Sequence, residues 1–528
     1  MATFRGVVGD FAPGTDLSPD GHAARAQLIR DTLAELGTLT PTGEADRLAA
    51  AHLRERLEAE LASHDLGDPL RMLRAPFGLL QTLRNSVDLM PRGTDDQWRA
   101  VAARVAAVPG MLAGWRTSLA TGASRGLVAA RRQAVEAAAQ AQRYADGASF
   151  QPVADAYGEG PQRAELDAAV AAAHAAYAET AAWLRDEYAP RASERDGVGP
   201  ERYTVASRLA LGDTIDPVEA YYWGWEELRR IEQEMAAEAD RVRPGATIEE
   251  AVAHLDQTDY LDGIDAYRQW LQERHDEAIA RLHGVHFDIP EPLRTVDVVT
   301  VENSSAGAAY YTPPSEDLSR PGRTWWPAAA RETFGVWGEL TTVFHEGVPG
   351  HHLQLGQLRV VGDSLSRFSR LSGVPGHSEG WALYAERLAD ELGWFATPGQ
   401  RLGMLKASAL RAARVVIDIG VHLDLPIPDD EAKRHGERWS FETAVEVLRD
   451  RGRIAGHRLH PEIVRYFGWP GQATAYKLGE RAWVAARAEA QARLGAEFDL
   501  KRWHTEALAL GPVGLATLTD TLRSIGQR

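Results

Sequence analysis

The sequence predicts a mainly α fold of long helices, with one small β element. Three observations lead there. Residues 28–190 are rich in Ala, Leu, Arg and Glu, which are good helix formers, and the breaks fall at Pro and Gly. Apolar residues recur at helical spacing in the longer stretches. β-Branched residues gather in one short run holding Val296, Val298, Val299 and Val301.

In chain order, residues 44–66 place Leu48, Leu53, Leu57 and Leu61 near helical spacing, and residues 164–188 form an Ala-rich helix suited to close packing. The histidines here, His52 and His174, read as packed or solvated side chains. Residues 191–200 are polar and punctuated by Gly and Pro. They divide an N-terminal helical region, 1–200, from a second region, 201–528, within one continuous architecture. Residues 217–242 read as a long helix, with Pro217 at its start and Pro244-Gly245 just past its end. Residues 293–301 read as a strand, and 308–312 as a second extended run that stops at Pro313-Pro314. Phe334, Trp337, Leu340 and Phe344, at steps of three, three and four, read as the apolar stripe of one helix running into His345.

The composition narrows the function. With 44% hydrophobic and 25% charged residues, the 528-residue chain has the make-up of an ordinary soluble globular protein. A formal net charge of −17 argues against a nucleic-acid partner. With no cysteine, disulfides, thiolate metal sites and Cys nucleophiles are excluded, and any metal must be held by His, Asp or Glu. In residues 1–20, Phe4, Val7, Val8 and Phe11 are separated by Gly, Asp and Pro, with no apolar run suited to secretion, and no apolar span of transmembrane length follows. A cytoplasmic protein without a membrane partner is the simplest expectation.

The candidate chemistry centres on His345-Glu346-Gly347-Val348-Pro349-Gly350-His351-His352. A helix bearing His-Glu-x-x-His presents two imidazoles one turn apart to a Zn²⁺ ion, with the Glu as base toward a water. Here the second imidazole comes six or seven residues after the first. On an unbroken helix those steps span roughly 9 and 10.5 Å, too far for one ion. Pro349-Gly350 supplies what a two-residue bulge needs to bring His351 back beside His345, which favours His351 over His352 as second ligand. A third ligand is expected from Gly376-His377-Ser378-Glu379-Gly380-Trp381-Ala382-Leu383-Tyr384-Ala385-Glu386. Glu379, near the start of that helix, is the first candidate, with His377 its competitor. Glu386, two turns on and roughly 10.5 Å away, is expected behind the ligands.

The two motifs together resemble the bacterial family called domain of unknown function 885. More distantly they resemble the helical zinc peptidases: Taq-type carboxypeptidases, thimet oligopeptidase and angiotensin-converting enzyme. The resemblance covers residues 201 to the C-terminus in motifs and the N-terminal region in helical character. It implies a helical zincin-like fold with a deep cleft and a small β-sheet near the metal. The segment Arg465-Tyr466-Phe467-Gly468-Trp469-Pro470-Gly471-Gln472-Ala473-Thr474-Ala475-Tyr476 is similar to the family's closing motif. Tyr476 is the first candidate for stabilising an oxyanion and Tyr466 the second. Arg414, Asp418 and His422 match a further family segment, where they orient a metal-binding His, capture a substrate carboxylate, or form an ion-pair network. Residues 308–312 resemble the edge strand on which such peptidases lay a peptide, with Tyr310 and Tyr311 toward substrate.

The expectation is thus a zinc-dependent hydrolase, a metallopeptidase acting on short peptides. His345, His351 and Glu379 hold Zn²⁺, Glu346 is the general base, and Tyr476 assists. Two alternatives stay open: a zinc enzyme acting on a non-peptide amide, and an inactive helical scaffold. The intact Glu346 weighs against the scaffold, which needs no base.

Overall fold

The computed structural model describes residues 14–88, 90–301, 308–328 and 331–525. Phe4, Val7, Val8 and Phe11 lie outside them. Helices dominate, and two hydrophobic cores follow one another along the chain. One gathers buried side chains from Leu73 to Ala192, the other from Tyr203 to Ile525. The helix Arg163–Trp183 is central to the first core; its small residues Ala169, Ala173 and Ala176 let the helices Asp95–Ala106, Val108–Ser124 and Arg131–Arg143 come close. The helix Glu44–Asp65 leaves this group and packs on Pro200–Leu211. Arg56 fixes it by donating to the carbonyls of Leu209 and Arg208.

In the second core the helix Pro217–Val242 has the bounds the sequence suggests. Asp216 caps its first turn by accepting from the amides of Val218 and Glu219. It lies along Pro398–Leu423, with Gly224 against Val415 and Val416.

Among the described residues five short strands form two sheets. β1 (Tyr260–Asp262) pairs antiparallel with β5 (Thr333–Gly335). In the other sheet β4 (Gly322–Pro327) is central, parallel to β2 (Val296–Val301) and antiparallel to β3 (Tyr310–Thr312). Of these, β2 and β3 fall where extended runs were read; β4 was not foreseen, although its alternate burial of Gly322, Thr324 and Trp326 is a period-2 signal.

The expected helix through Phe334 and Trp337 does not form. Phe334 sits in β5 opposite Leu261 and stacks on Tyr267 at 4.3 Å between ring centroids, and the helix begins only at Leu340. Gly335 and Gly338 interrupt the stretch, and strand pairing takes the backbone groups that a helix would have used. All four apolar residues are buried, Trp337, Leu340 and Phe344 in the second core and Phe334 in a smaller cluster with Tyr267, Leu271 and Trp326. Among the described residues no helix is long and apolar enough to cross a membrane.

Candidate metal centre

The helix Leu340–Glu346 stops at Glu346, and a new helix, His351–Val360, starts on the second imidazole. Sequence reasoning expected a bulge within one helix; the chain instead breaks fully and turns back. The Gly350 amide donates to the Phe344 carbonyl at 3.0 Å, and the His352 amide to the Gly347 carbonyl at 3.0 Å. Gly350 is required at this turn, because a Cβ there would lie 2.0 Å from the His345 carbonyl oxygen. Trp381 pins the turn from the neighbouring helix, its Nε1 donating to the Pro349 carbonyl at 2.8 Å. The roughly 9 Å that six residues span along a helix thereby shrinks to 4.8 Å between the His345 and His351 ring centroids, with the rings nearly perpendicular at 84°.

Glu379 arrives on the helix Pro375–Glu391. Gly380, next to it, meets Gly479 of the helix Ala475–Leu494 so closely that a Cβ would lie 2.4 Å from the Gly479 carbonyl carbon. That approach sets the Glu379 and Tyr476 helices side by side. Oε2 of Glu379 is 3.5 Å from Nε2 of His345 and 3.5 Å from Nε2 of His351. The three donor atoms lie within 4.8 Å of one another. Donors around a tetrahedral Zn²⁺ at about 2.0–2.2 Å stand roughly 3.4 Å apart, so the residues fit such an ion. A second observation agrees: Glu379 Oε2 is buried without a hydrogen-bond partner.

The opposite side of His345 is held firmly. Its Nδ1 meets Glu386 Oε1 at 2.7 Å, while Thr341, one turn earlier on the same helix, donates to Glu386 Oε2 at 2.5 Å and Arg411 to Oε1 at 3.3 Å. A histidine whose far nitrogen is fixed by a carboxylate has its tautomer and ring plane set for ligation. Thr341 and Arg411 were not singled out as site residues; the i−4 spacing of Thr341 from His345 was the available signal.

Three buried or half-buried carboxylates, Glu346, Glu379 and Glu386, draw positive charge into this volume. Burial alone would depress His345, but its contacts with Glu379 and Glu386 outweigh that and raise it to about 10. Burial pushes Glu379 up, and the two imidazoles pull it well below the usual carboxylate range. Glu346 stays raised: burial dominates, and the Glu379 charge adds to it.

The remaining candidates separate by position. Tyr476 is half-buried beneath the Arg414 guanidinium, 4.8 Å from the ring centroid. Burial, then the Glu379 charge, raises its hydroxyl pKa. Tyr466 is fully buried and engaged, receiving Arg414 Nε at 2.9 Å and bonding to Glu462. Asp418 and His422 do not hydrogen-bond to each other, standing 3.9 Å apart. Asp418 instead accepts from Tyr203 at 2.7 Å and from the Gly471 amide at 2.9 Å, and His422 meets the Tyr466 carbonyl at 3.0 Å. Asp418 thus holds the loop that leads into the Tyr476 helix, and His422 holds the helix Leu459–Gly468 that precedes that loop.

His352 points away from the donors: Nε2 meets the Leu293 carbonyl at 2.9 Å and Nδ1 the Tyr311 hydroxyl at 3.0 Å. It ties β3 to the His351 helix, so the Tyr311 hydroxyl is engaged as well. Tyr310 stacks on Trp325 and is exposed. His377 is packed against Trp483 with Nδ1 on the Val513 carbonyl, since its place in the first turn directs it to the C-terminal helices.

Comparison with known proteins adds a family. The model for "Bacterial protein of unknown function (DUF885)" matches residues 1–522. The chain belongs to the DUF885 family. A "putative lipoprotein" from Colwellia psychrerythraea shares its fold at 21% identity with a TM-score of 0.82, over 99% of this DUF885 chain and 94% of that one. A second, the "putative lipoprotein of unknown function" from Shewanella oneidensis, gives 17% identity and a TM-score of 0.75 over 99% and 96%. A Pyrococcus furiosus carboxypeptidase aligns at 10% identity over 98% of this chain and 99% of its own, with a TM-score of 0.33. No curated protein matches the chain.

Proposed function

We propose that this DUF885 protein is a zinc-dependent hydrolase of amides, a metallopeptidase that cleaves short peptides within a helical zincin-like cleft. The observation that carries this reading is the convergence of His345, His351 and Glu379 beside the buried carboxylate of Glu346. His345, His351 and Glu379 would hold a Zn²⁺ ion, which would supply Lewis-acid activation of a water.

The other roles fall to side chains of the chain. Glu346, its pKa raised by burial, takes a proton from the attacking water and passes it to the leaving amine. Tyr476, its hydroxyl kept protonated, donates a hydrogen bond to the oxygen that gains charge. Glu386 and Thr341 hold the His345 ring in place.

The test combines metal analysis with a peptide-mixture digest. Wild type and Glu346→Gln should both bind zinc, with cleavage falling at least about 100-fold in the variant; Tyr476→Phe should fall by roughly 100-fold with zinc retained. Zinc binding without metal-dependent cleavage of any peptide would remove the peptidase assignment and leave another amide as substrate. Failure to bind zinc would remove the metal assignment.

A further inference from the structure

Arg74 is a guanidinium without a counter-charge of its own. Among the described residues it makes no ion pair and no hydrogen bond, and it lies over Trp469 with Cζ 4.8 Å from the ring centroid. Asp68, whose charge acts on it, is already shared by Arg71 at 3.2 Å and Arg202 at 2.5 Å. Arg71 and Arg202 thus take up the Asp68 carboxylate, and Arg74 beside them is left a cation without a direct partner in a chain of net charge −17. Burial, then Arg202, lowers Arg74 to about 10, which leaves it cationic at neutral pH.

The position is built into the fold. The Ala75 amide donates to Gln133 Oε1 at 2.9 Å, and Gln140 Nε2 donates to the Pro76 carbonyl at 2.8 Å. The same Gln133 donates to the Val464 carbonyl at 2.8 Å, in the helix that leads to Trp469. One side chain thus fixes the Arg74 turn to the segment that carries its aromatic partner.

Arg74 also lines two cavities. One, of about 300 Å³, reaches Pro375, the first residue of the Glu379 helix, and Gln472, four residues before Tyr476. The other, of about 550 Å³, is walled largely by apolar side chains such as Ile29, Leu79 and Trp115, with Glu60 and Arg25 also on its lining. A cavity of that size falls within the usual range for small-ligand sites. A planar guanidinium backed by an indole and short of acceptors is suited to bidentate binding of a carboxylate.

The geometry points to a carboxylate-binding subsite at Arg74, which holds a substrate bearing a free carboxylate and an apolar group, the apolar group entering the 550 Å³ cavity. That the ligand is a substrate rests on the hydrolase reading; the binding itself requires no metal.

The experiment uses the full chain, zinc-loaded and metal-free, with N-acetylphenylalanine, its amide, and N-acetylglutamate α-amide as probes in calorimetry or ligand-detected NMR. N-acetylphenylalanine should bind at least tenfold more tightly than its amide in both forms. Arg74→Met should erase that difference with thermal stability and zinc content kept, and Arg74→Lys should retain part of it. The glutamate probe distinguishes a side-chain from a terminal carboxylate. Equal binding of acid and amide to wild type would overturn the assignment even if Arg74→Met fails to fold, and so would an undiminished preference in a folded Arg74→Met. Preference for the acid without peptide cleavage would uphold the subsite and sink the peptidase reading; cleavage without that preference would do the reverse.

Discussion

Glu386→Gln should weaken zinc binding by 10–100-fold while leaving the fold intact. The carboxylate is buried and accepts from His345, Thr341 and Arg411. Gln has nearly the same volume and can still accept from His345 through its amide oxygen, so no cavity forms there. What disappears is the negative charge behind the imidazole that makes it a better ligand. Loss of such an outer partner costs about 10–100-fold in metal affinity, or roughly 1.4–2.7 kcal/mol. A hydrogen bond to an ionised acceptor, worth about 1.5–3 kcal/mol, gives the same range independently. Thr341→Ala removes one hydrogen bond to the same carboxylate and should cost less, about fivefold at roughly 1 kcal/mol. Zinc titration against a competing chelator measures both variants, with circular dichroism as the check on folding. A folded Glu386→Gln protein with zinc affinity within about twofold of wild type would refute the claim that Glu386 tunes His345.

Gly350→Ala should cost several kcal/mol, on the order of 3–5, and abolish zinc binding. The new Cβ would lie 2.0 and 2.3 Å from two backbone carbonyl oxygens that cannot rotate away. An unchanged melting temperature and zinc content would show that the turn is not the element holding His351 in place. Acid should destabilise the protein through buried histidines. His52, His352, His377 and His422 are lowered to about 4, and His275 and His504 to about 3, mainly by burial. Each is neutral in the fold, whereas the unfolded chain takes up a proton near pH 6.5. Their contribution is therefore intact above pH 6.5 and is lost as pH falls toward 4, by up to about 1.4 kcal/mol per pH unit per histidine. Urea unfolding at pH 7.5 and pH 5 measures it, and equal stability at the two values would contradict the assigned neutral state. Asp418, raised to about 7 by burial, acts in the opposite direction between its unfolded value of 3.8 and that point, so the net slope should be less than the histidine sum.

Where local chemistry is decisive, the sequence reads well. The helix Pro217–Val242 is set by Asp216 and Pro217 at one end and Pro244-Gly245 past the other, all within a few residues of the boundary they define. The candidate His and Glu residues, and Pro349-Gly350 as the place where the His345 helix is disturbed, were visible for the same reason, whereas the full end of the helix at Glu346 was not. The stripe through Phe334 and Trp337 misled because spacing records periodicity but not strand partners. Leu261, far upstream, claimed Phe334 for a sheet. The sequence favours His351 over His352, and the tertiary structure shows what turns the second imidazole aside: the Leu293 carbonyl and the Tyr311 hydroxyl engage His352. Glu386 was expected behind the ligands, but only the tertiary structure pairs it with Nδ1 of His345 and, among the described residues, leaves Arg74 over Trp469 without an ion pair. Those relations join residues distant in sequence, and their energies depend on burial and on the full set of charges around each group, which no local pattern contains.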